Sequence, residues 1–487
     1  MKNTFLAIDL GAGSGCAMLG ELTDGILNLR EIHRFDYAPV LADGNNYWNT
    51  ELIFKEIKKT LSLVAENDQP VESIGITSPG ADFSLMGDDG ILSPALMYDS
   101  SKTDGSVDAF TALMSADKIY GQTGVQVSPA NSLFQLFAMK QAGYEPLKKA
   151  KHLLFIPDIF NYLLTGVIQT EFSMAATSQV YNPVKRMWDH DVLRKAAIPV
   201  VIMPRIAEPG TVTGSISNQV SYATGMARIP VVAVASHDIA SEVAAVPATG
   251  DNWAYIQAGG SCQMGFESRM PIITKRSQQL NFTNQGGAGH AFRVQQNIEG
   301  FIMLQQCREA WESNKYTFEE MMTLAADAKP FVCVIDTAHP SFQQAEDMPA
   351  AIEAYCELTD QNVPLTHGEI IRSIVEGLAL KFRSALGQIE SLRGIKPSVL
   401  YLSGEPFYNE FFCQLTADCC GMQVIVMPDS STAAGNILLQ AQALGIVKNM
   451  VEVREITGKS FPHNKYEPGN TTEWNVVFEQ YFKSTVL

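Results

Sequence analysis

No apolar run in this 487-residue chain reaches the ~18 residues that a membrane-spanning helix needs, so a membrane partner is not expected. No C-x-x-C pair occurs either. One cysteine lies at Cys16 and the other seven from Cys262 onward, a pattern that excludes a zinc ribbon or a thioredoxin-type motif. Reduced thiols in a cytoplasmic protein are the expectation. The opening MKNTFLAIDLGAGSG runs straight into a strand with an internal Asp, unlike a signal peptide. A basic block is missing as well: 35 Lys and Arg stand against 52 Asp and Glu, a net charge of −17, which argues against nucleic acid. An anionic ligand would need local binding groups.

What is present begins with glycine. Phe5 to Leu10 and Cys16 to Leu19 are two short apolar runs joined by Gly11-Ala-Gly-Ser-Gly15, a tight hairpin that a ligand can approach closely. A second such unit follows half a chain later, where Trp253–Gln257 and Cys262–Phe266 flank Ala258-Gly-Gly-Ser261. Two alike hairpins suggest two related domains. Neither is a Walker loop, since no Gly-Lys-Ser/Thr follows, nor a G-x-G-x-x-G turn. Backbone amides converging in such turns suit phosphate oxygens, and a facing pair could hold a triphosphate. Asp9, on the strand entering the first hairpin, could position Mg²⁺ beside phosphate, or could be a polar strand-end residue satisfied by turn amides.

The stretch Ile229–Val246 carries the remaining chemistry. Ile229–Ala235 is long and β-branched enough for a buried strand, and Ile239 onward reads as an apolar helix. Asp238 therefore stands at the carboxyl end of a strand, where open α/β sheets bind ligands. As a simple N-cap it would accept amide bonds; beside a terminal phosphate it could take the proton of an attacking hydroxyl. His237 could hydrogen-bond a substrate hydroxyl or be a satisfied core histidine. Helices are expected over Leu133–Ala142, Asn297–Trp311 and Gly368–Gly387, strands over Glu72–Thr77 and Val399–Leu402, and a polar surface extension from Thr457.

Nearly the whole chain, Ala7 to about Gly445, resembles the FGGY family of carbohydrate kinases and within it the rhamnulokinase branch. LAIDLGAGSG resembles the first phosphate hairpin and SHDIASEVAAVP the catalytic segment. Phe155-Ile-Pro-Asp158, Asn161-Tyr-Leu-Leu-Thr-Gly166, Ala207-Glu-Pro-Gly-Thr-Val212, Met348-Pro-Ala-Ala-Ile352, Gln414-Leu-Thr-Ala-Asp418 and Gly435-Asn-Ile437 match in order. The resemblance implies an α/β fold of two actin-like, ribonuclease H-like domains with an interdomain active-site cleft, at 1–247 and 248–456, with 457–487 as an extension. It implies ATP and Mg²⁺ as cofactors, a small-molecule sugar and nucleotide as partners, and a monomer or homodimer. By position Asp238 is the base, and Gly80, Asp82, His237 and Asn297 fall on the sugar. Ala12, Gly13, Ser14, Gly15, Gly260, Ser261, Gln305 and Gly404 fall on ATP, and Asp9 on the metal. The expected activity is phosphorylation of a terminal hydroxyl of a ketose such as L-rhamnulose; kinases of L-fuculose or xylulose share the scaffold.

Departures from the family pattern cluster at binding positions. Cys16 stands where these kinases have Arg, and Gly260 where they have Thr. Pro79-Gly-Ala-Asp82 replaces Trp-Gly-Val-Asp, Tyr98–Thr103 has lost its arginines, and Gly404-Glu-Pro406 replaces a triple glycine. Altered substrate preference, or a weakened kinase that only binds sugar or nucleotide, would fit those changes.

Overall fold

Sheet strands in both halves follow one plan. The structure is a computed structural model that describes residues 2–67, 70–97, 101–259, 262–311, 315–343 and 345–482. In the first half the strands are β1 (Lys2–Leu10), β2 (Ser14–Thr23), β3 (Ile26–Asp36), β4 (Ser73–Thr77), β5 (Thr211–Ser215) and β6 (Pro230–Ala233). Their order is β5-β6-β4-β1-β2-β3. The β1–β2–β3 meander is antiparallel, β4 runs parallel to β1 and β6, and β5 returns antiparallel. Parallel pairing needs crossovers, and α1 (Thr50–Glu66) supplies the first. Asn49 caps it by accepting from the Leu52 amide, and Ile53, Ile57, Leu61 and Val64 bury one face at helical spacing. Two short helices matter for the site, α2 (Phe172–Thr177) and α3 (Asp238–Ala244).

The second half contains β7 (Trp253–Ala258), β8 (Cys262–Ser268), β9 (Phe292–Ile298), β10 (Val399–Ser403), β11 (Gln423–Val426) and β12 (Asn464–Tyr466). They lie in the order β9-β8-β7-β10-β11-β12, with a seventh, edge strand, Thr283–Gly286, beside β9. Again β7 and β8 form an antiparallel hairpin, β7, β10 and β11 are parallel, and β12 is antiparallel. The duplication read from the two hairpins is thus a duplication of whole sheets. Helices α4 (Phe301–Ala310) and α5 (His367–Arg393) accompany this sheet.

Two compact units result: Met1–Thr249 with Glu267–Val294 and Ser430–Pro462, and Gly250–Phe266 with Gln295–Asp429 and His463–Leu487. The first break falls two residues past the expected 247. Residues 430–456, however, were expected in the second domain and fold with the first. The cause is α6 (Ser431–Ala443), whose apolar face packs on β1 and β4. Glycines make the room: a β-carbon at Gly20 would lie 2.5 Å from Ile437, one at Gly75 2.3 Å from Asn436, and one at Gly435 1.8 Å from the Ser241 carbonyl. Nor is the tail from Thr457 a surface extension. Thr457 lies inside the helix Met450–Ser460, β12 extends the second sheet, and Trp474, Phe478 and Phe482 are buried.

Two helix expectations also change. Asn297 lies in β9, one residue before its end, instead of opening a helix, because Gly300 at φ 142° breaks the backbone before Phe301. α5 runs beyond the expected Gly387 to Arg393 and stops at Gly394, φ 72°, a left-handed helix end.

Candidate functional site

In the first unit the site is built on one row of the sheet. Register pairs Asp9 of β1 with Thr77 of β4 on one side and Cys16 of β2 on the other, and Cys16 in turn with Arg34 of β3. Directly paired residues share a face, so these four side chains form a line across the sheet. Thr77 Oγ1 donates to Asp9 Oδ1 at 2.6 Å. That hydroxyl, not a turn amide, is the partner of Asp9. Burial, reinforced by the charge of Asp238, raises the Asp9 carboxyl to about 7.

The glycine turn closes the end of this row. Gly11 N donates to the Ser14 carbonyl at 2.7 Å, Tyr37 N to the Gly13 carbonyl at 2.9 Å, and Tyr37 Oη to the Gly11 carbonyl. Ala12 and Gly13 remain exposed at the tip. Gly15 is obligatory for packing, since a β-carbon there would sit 2.3 Å from the Phe35 ring. The loss of arginine at position 16 does not leave this row without a cation. Arg34 Nη2 lies 3.5 Å from Cys16 Sγ, while the same guanidinium pairs with Glu31 at 2.6 Å. Burial, the largest influence, raises the Cys16 thiol to about 11, so it stays protonated near neutrality.

Beside the row, β4 and β6 continue past their ends and are stitched together. Ser78 N donates to the Ser236 carbonyl at 2.9 Å and Asp238 N to the Ser78 carbonyl at 3.0 Å. This brings Gly80 under the His237 ring: a β-carbon at Gly80 would lie 2.9 Å from Cδ2 and Nε2. His237 is buried, and burial lowers its basicity despite the nearby Asp238 charge, so the ring is neutral at pH 7. Its Nδ1 lies 2.7 Å from Asp238 Oδ1, but off the line a hydrogen bond requires. The aligned donor to that oxygen is the Ile239 amide at 2.6 Å. Asp238 is therefore the first residue of α3 and not its N-cap; His237 occupies the cap position without making a side-chain cap. With its side chain 29% exposed, the carboxylate is open to a ligand.

Asp82 departs from expectation. It was expected to face the sugar, but only 1% of it is exposed. Trp48 Nε1 donates to one carboxylate oxygen at 2.8 Å and Gln135 Nε2 to the other at 3.2 Å. Asp82 anchors the turn instead, and Ser132 Oγ holds the neighbouring Ala81 carbonyl at 2.6 Å, with Ala81 itself at φ 76°. Such a φ is costly for a residue with a β-carbon and persists because the surroundings fix it.

The second unit contains a cavity of about 540 Å³ lined by Gly259, Cys262, Asn297, Gly300, Gln306 and Thr337 among others. Asn297 is thus where a ligand can reach it. Gln305 is not part of this wall and donates to Glu309 along α4 at 2.7 Å. Gln306, one position on, does line it, and its Oε1 is buried without a hydrogen-bond partner among the described residues. Sequence spacing gave no means of choosing between the two. Gly404 follows β10 at φ 106°, and a β-carbon there would overlap the Ala258 carbonyl at 1.7 Å. Pro406 falls in the first turn of the short helix Glu405–Tyr408, where a missing amide costs nothing. Gly260, Ser261 and Tyr98–Ser100 lie outside the described residues.

Two sheets built to this plan are the two-domain α/β fold of the sugar kinases. Residues 4–246 match the N-terminal domain of the FGGY family of carbohydrate kinases, and residues 254–444 match its C-terminal domain. The chain belongs to that family and is an ATP-using carbohydrate kinase. Among its relatives is a rhamnulokinase of Bacteroides thetaiotaomicron, 36% identical with 100% of both chains covered. Another is a rhamnulokinase of Bacillus subtilis, 32% identical over 99% of each. A xylulose kinase of Lactobacillus acidophilus shares the fold at a TM-score of 0.83, with 18% identity over 98% of this chain and 97% of that one. Among the described residues no helix is long and apolar enough to cross a membrane.

Proposed function

We propose that the chain transfers the γ-phosphoryl group of ATP to the terminal hydroxyl of L-rhamnulose, with Asp238 as general base. The observation that carries this reading is the position of Asp238: an accessible carboxylate, fixed by the Ile239 amide, electrostatically coupled to Asp9 beside the glycine turn. The full-length likeness to rhamnulokinases supports the choice of sugar.

In this mechanism the sugar oxygen attacks the γ-phosphorus as its proton passes to Asp238, and the bond from the γ-phosphorus to the bridging oxygen breaks to release ADP. Little covalent work falls to the protein, so positioning and charge neutralisation carry the rate. The neutral His237 ring, backed by Gly80, orients the sugar, as does Asn297. Ala12, Gly13, Ser14 and Gly15 take phosphate oxygens in the first turn; Gly260, Ser261 and Gly404 serve the nucleotide, and Gln306 takes the contact first assigned to Gln305. Asp9 and Asp238 are carboxyl groups whose mutual charge adds to the effect of burial on Asp9, and as hard oxygen donors they would hold a divalent magnesium ion together with phosphate oxygens. Bound there with ATP, Mg²⁺ would neutralise phosphate charge. ADP release measured with L-rhamnulose, L-fuculose and D-xylulose tests the reading: highest kcat/KM on L-rhamnulose supports it, and preference for another ketose, or none, refutes it.

A further inference from the structure

Directly beneath the loop that carries Asp238 lies a buried acid to which phosphoryl transfer itself gives no task. Glu171 is fully buried at the N-cap of α2. Its Oε1 accepts the Ser173 amide at 2.8 Å. Its Oε2 accepts the Ser236 amide at 3.0 Å and also the Ser173 hydroxyl. The Ser173 Oγ in turn accepts the His237 amide at 2.9 Å. The two consecutive amides that precede Asp238 are thus both held by one acid–hydroxyl pair, some 65 residues away in sequence.

This pair has a firm base. Asp158 accepts the Glu171 amide at 3.2 Å and the Thr170 hydroxyl. From the other side, the strand Thr283–Gly286 presses on α2, and a β-carbon at Gly286 would lie 2.7 Å from Ser173 Cα. α2 therefore has no room to shift away from the loop. Burying two neighbouring carboxyls is expensive, and a core built only for stability would use apolar side chains here. The expense falls where the loop needs directional acceptors.

We infer that Glu171 and Ser173 are positioning residues for phosphoryl transfer: by fixing the Ser236 and His237 amides they set the direction of the Asp238 carboxylate and the His237 ring. The inference rests on Asp238 being the base. In Glu171→Gln one of the two oxygens that accept the Ser173 and Ser236 amides becomes a donor, and in Ser173→Ala the His237 amide loses its acceptor.

The test uses the full-length protein at a temperature well below the Tm of every variant. Expected for both single variants is a kcat reduced about 10- to 100-fold with KM for ATP within about twofold of wild type. Adding either change to Asp238→Asn should alter the residual rate less than about twofold, since the effect acts through Asp238. Wild-type kcat with only a lowered Tm would overturn the inference, as would a full, independent loss on the Asp238→Asn background. Should Glu171→Gln not fold, Ser173→Ala carries the same test with the acid intact. An inactive Asp238→Asn beside fully active Glu171 and Ser173 variants refutes the positioning role alone; an active Asp238→Asn refutes the base assignment and with it this inference.

Discussion

Gly80 and His237 are packed so closely that the glycine cannot gain a side chain unless the ring moves: a β-carbon there would sit 2.9 Å from Nε2. Their two loops are joined by the Ser78–His237 bridge, so the backbone on both sides of the contact is held in place. Gly80→Ala should therefore tilt the imidazole and lower kcat/KM for the sugar about tenfold or more, with KM for ATP little changed. Steady-state kinetics with each substrate varied in turn checks this; an unchanged sugar kcat/KM would mean the ring does not orient the sugar.

Arg34 makes a different prediction. Through the Asp9–Cys16–Arg34 row its guanidinium is a cation on the face that ends in the glycine turn. Arg34→Ala should raise KM for ATP about fivefold, ~1 kcal/mol, and flatten the dependence of that KM on ionic strength. Arg34→Lys should retain most of the salt dependence.

Buried acids set the pH dependence of stability. Burial raises both Glu171 and Glu376 from 4.5 to about 7; for Glu376 this exceeds the opposing effect of Arg372, 2.8 Å away. A carboxyl whose folded pKa lies above its unfolded one binds more protons in the native state between the two values. Its contribution to stability is fully present below about 4.5 and is lost as pH rises through about 7. The ligand-free protein should accordingly melt a few degrees higher at pH 5.5 than at pH 8, and Glu376→Gln should reduce that difference. Glu31 and Glu56 are shifted the opposite way, through bonds to Arg34 and His33, so their losses fall at lower pH. Thermal melts across pH 5 to 8 decide the matter; a Tm that climbs with pH contradicts the assignment.

Gly404→Ala tests the second sheet. A β-carbon 1.7 Å from the Ala258 carbonyl cannot be accommodated without separating β7 from β10. A loss of about 3 kcal/mol or more is expected, visible as a lowered denaturation midpoint or as insoluble protein.

The sequence made some of this legible because the signals were local. The apolar run before Ser236, the five-residue glycine turn and the placement of Asp238 between strand and helix are short patterns, and each reappears in the structure. Long-range relationships left no such trace. Nothing near Asp82 announces that Trp48 and Gln135 will occupy both its oxygens. Nothing near Glu171 announces that its carboxylate will hold the Ser236 amide. Periodicity misread residues 297–300 as helix because a single glycine at φ 142° outweighs several well-spaced apolar residues. Along α4 it also could not separate Gln305 from Gln306, since adjacent positions on a helix point only ~100° apart. The placement of α6 with the first unit depends on three glycines, Gly20, Gly75 and Gly435, whose partners lie far off in sequence.

The most direct test is turnover of L-rhamnulose with ATP by wild type and Asp238→Asn, measured as sugar phosphate formed. General-base catalysis predicts a kcat lower by about 10² to 10⁴ in the variant, with Tm and nucleotide binding preserved. Equal turnover by the two proteins would contradict the account.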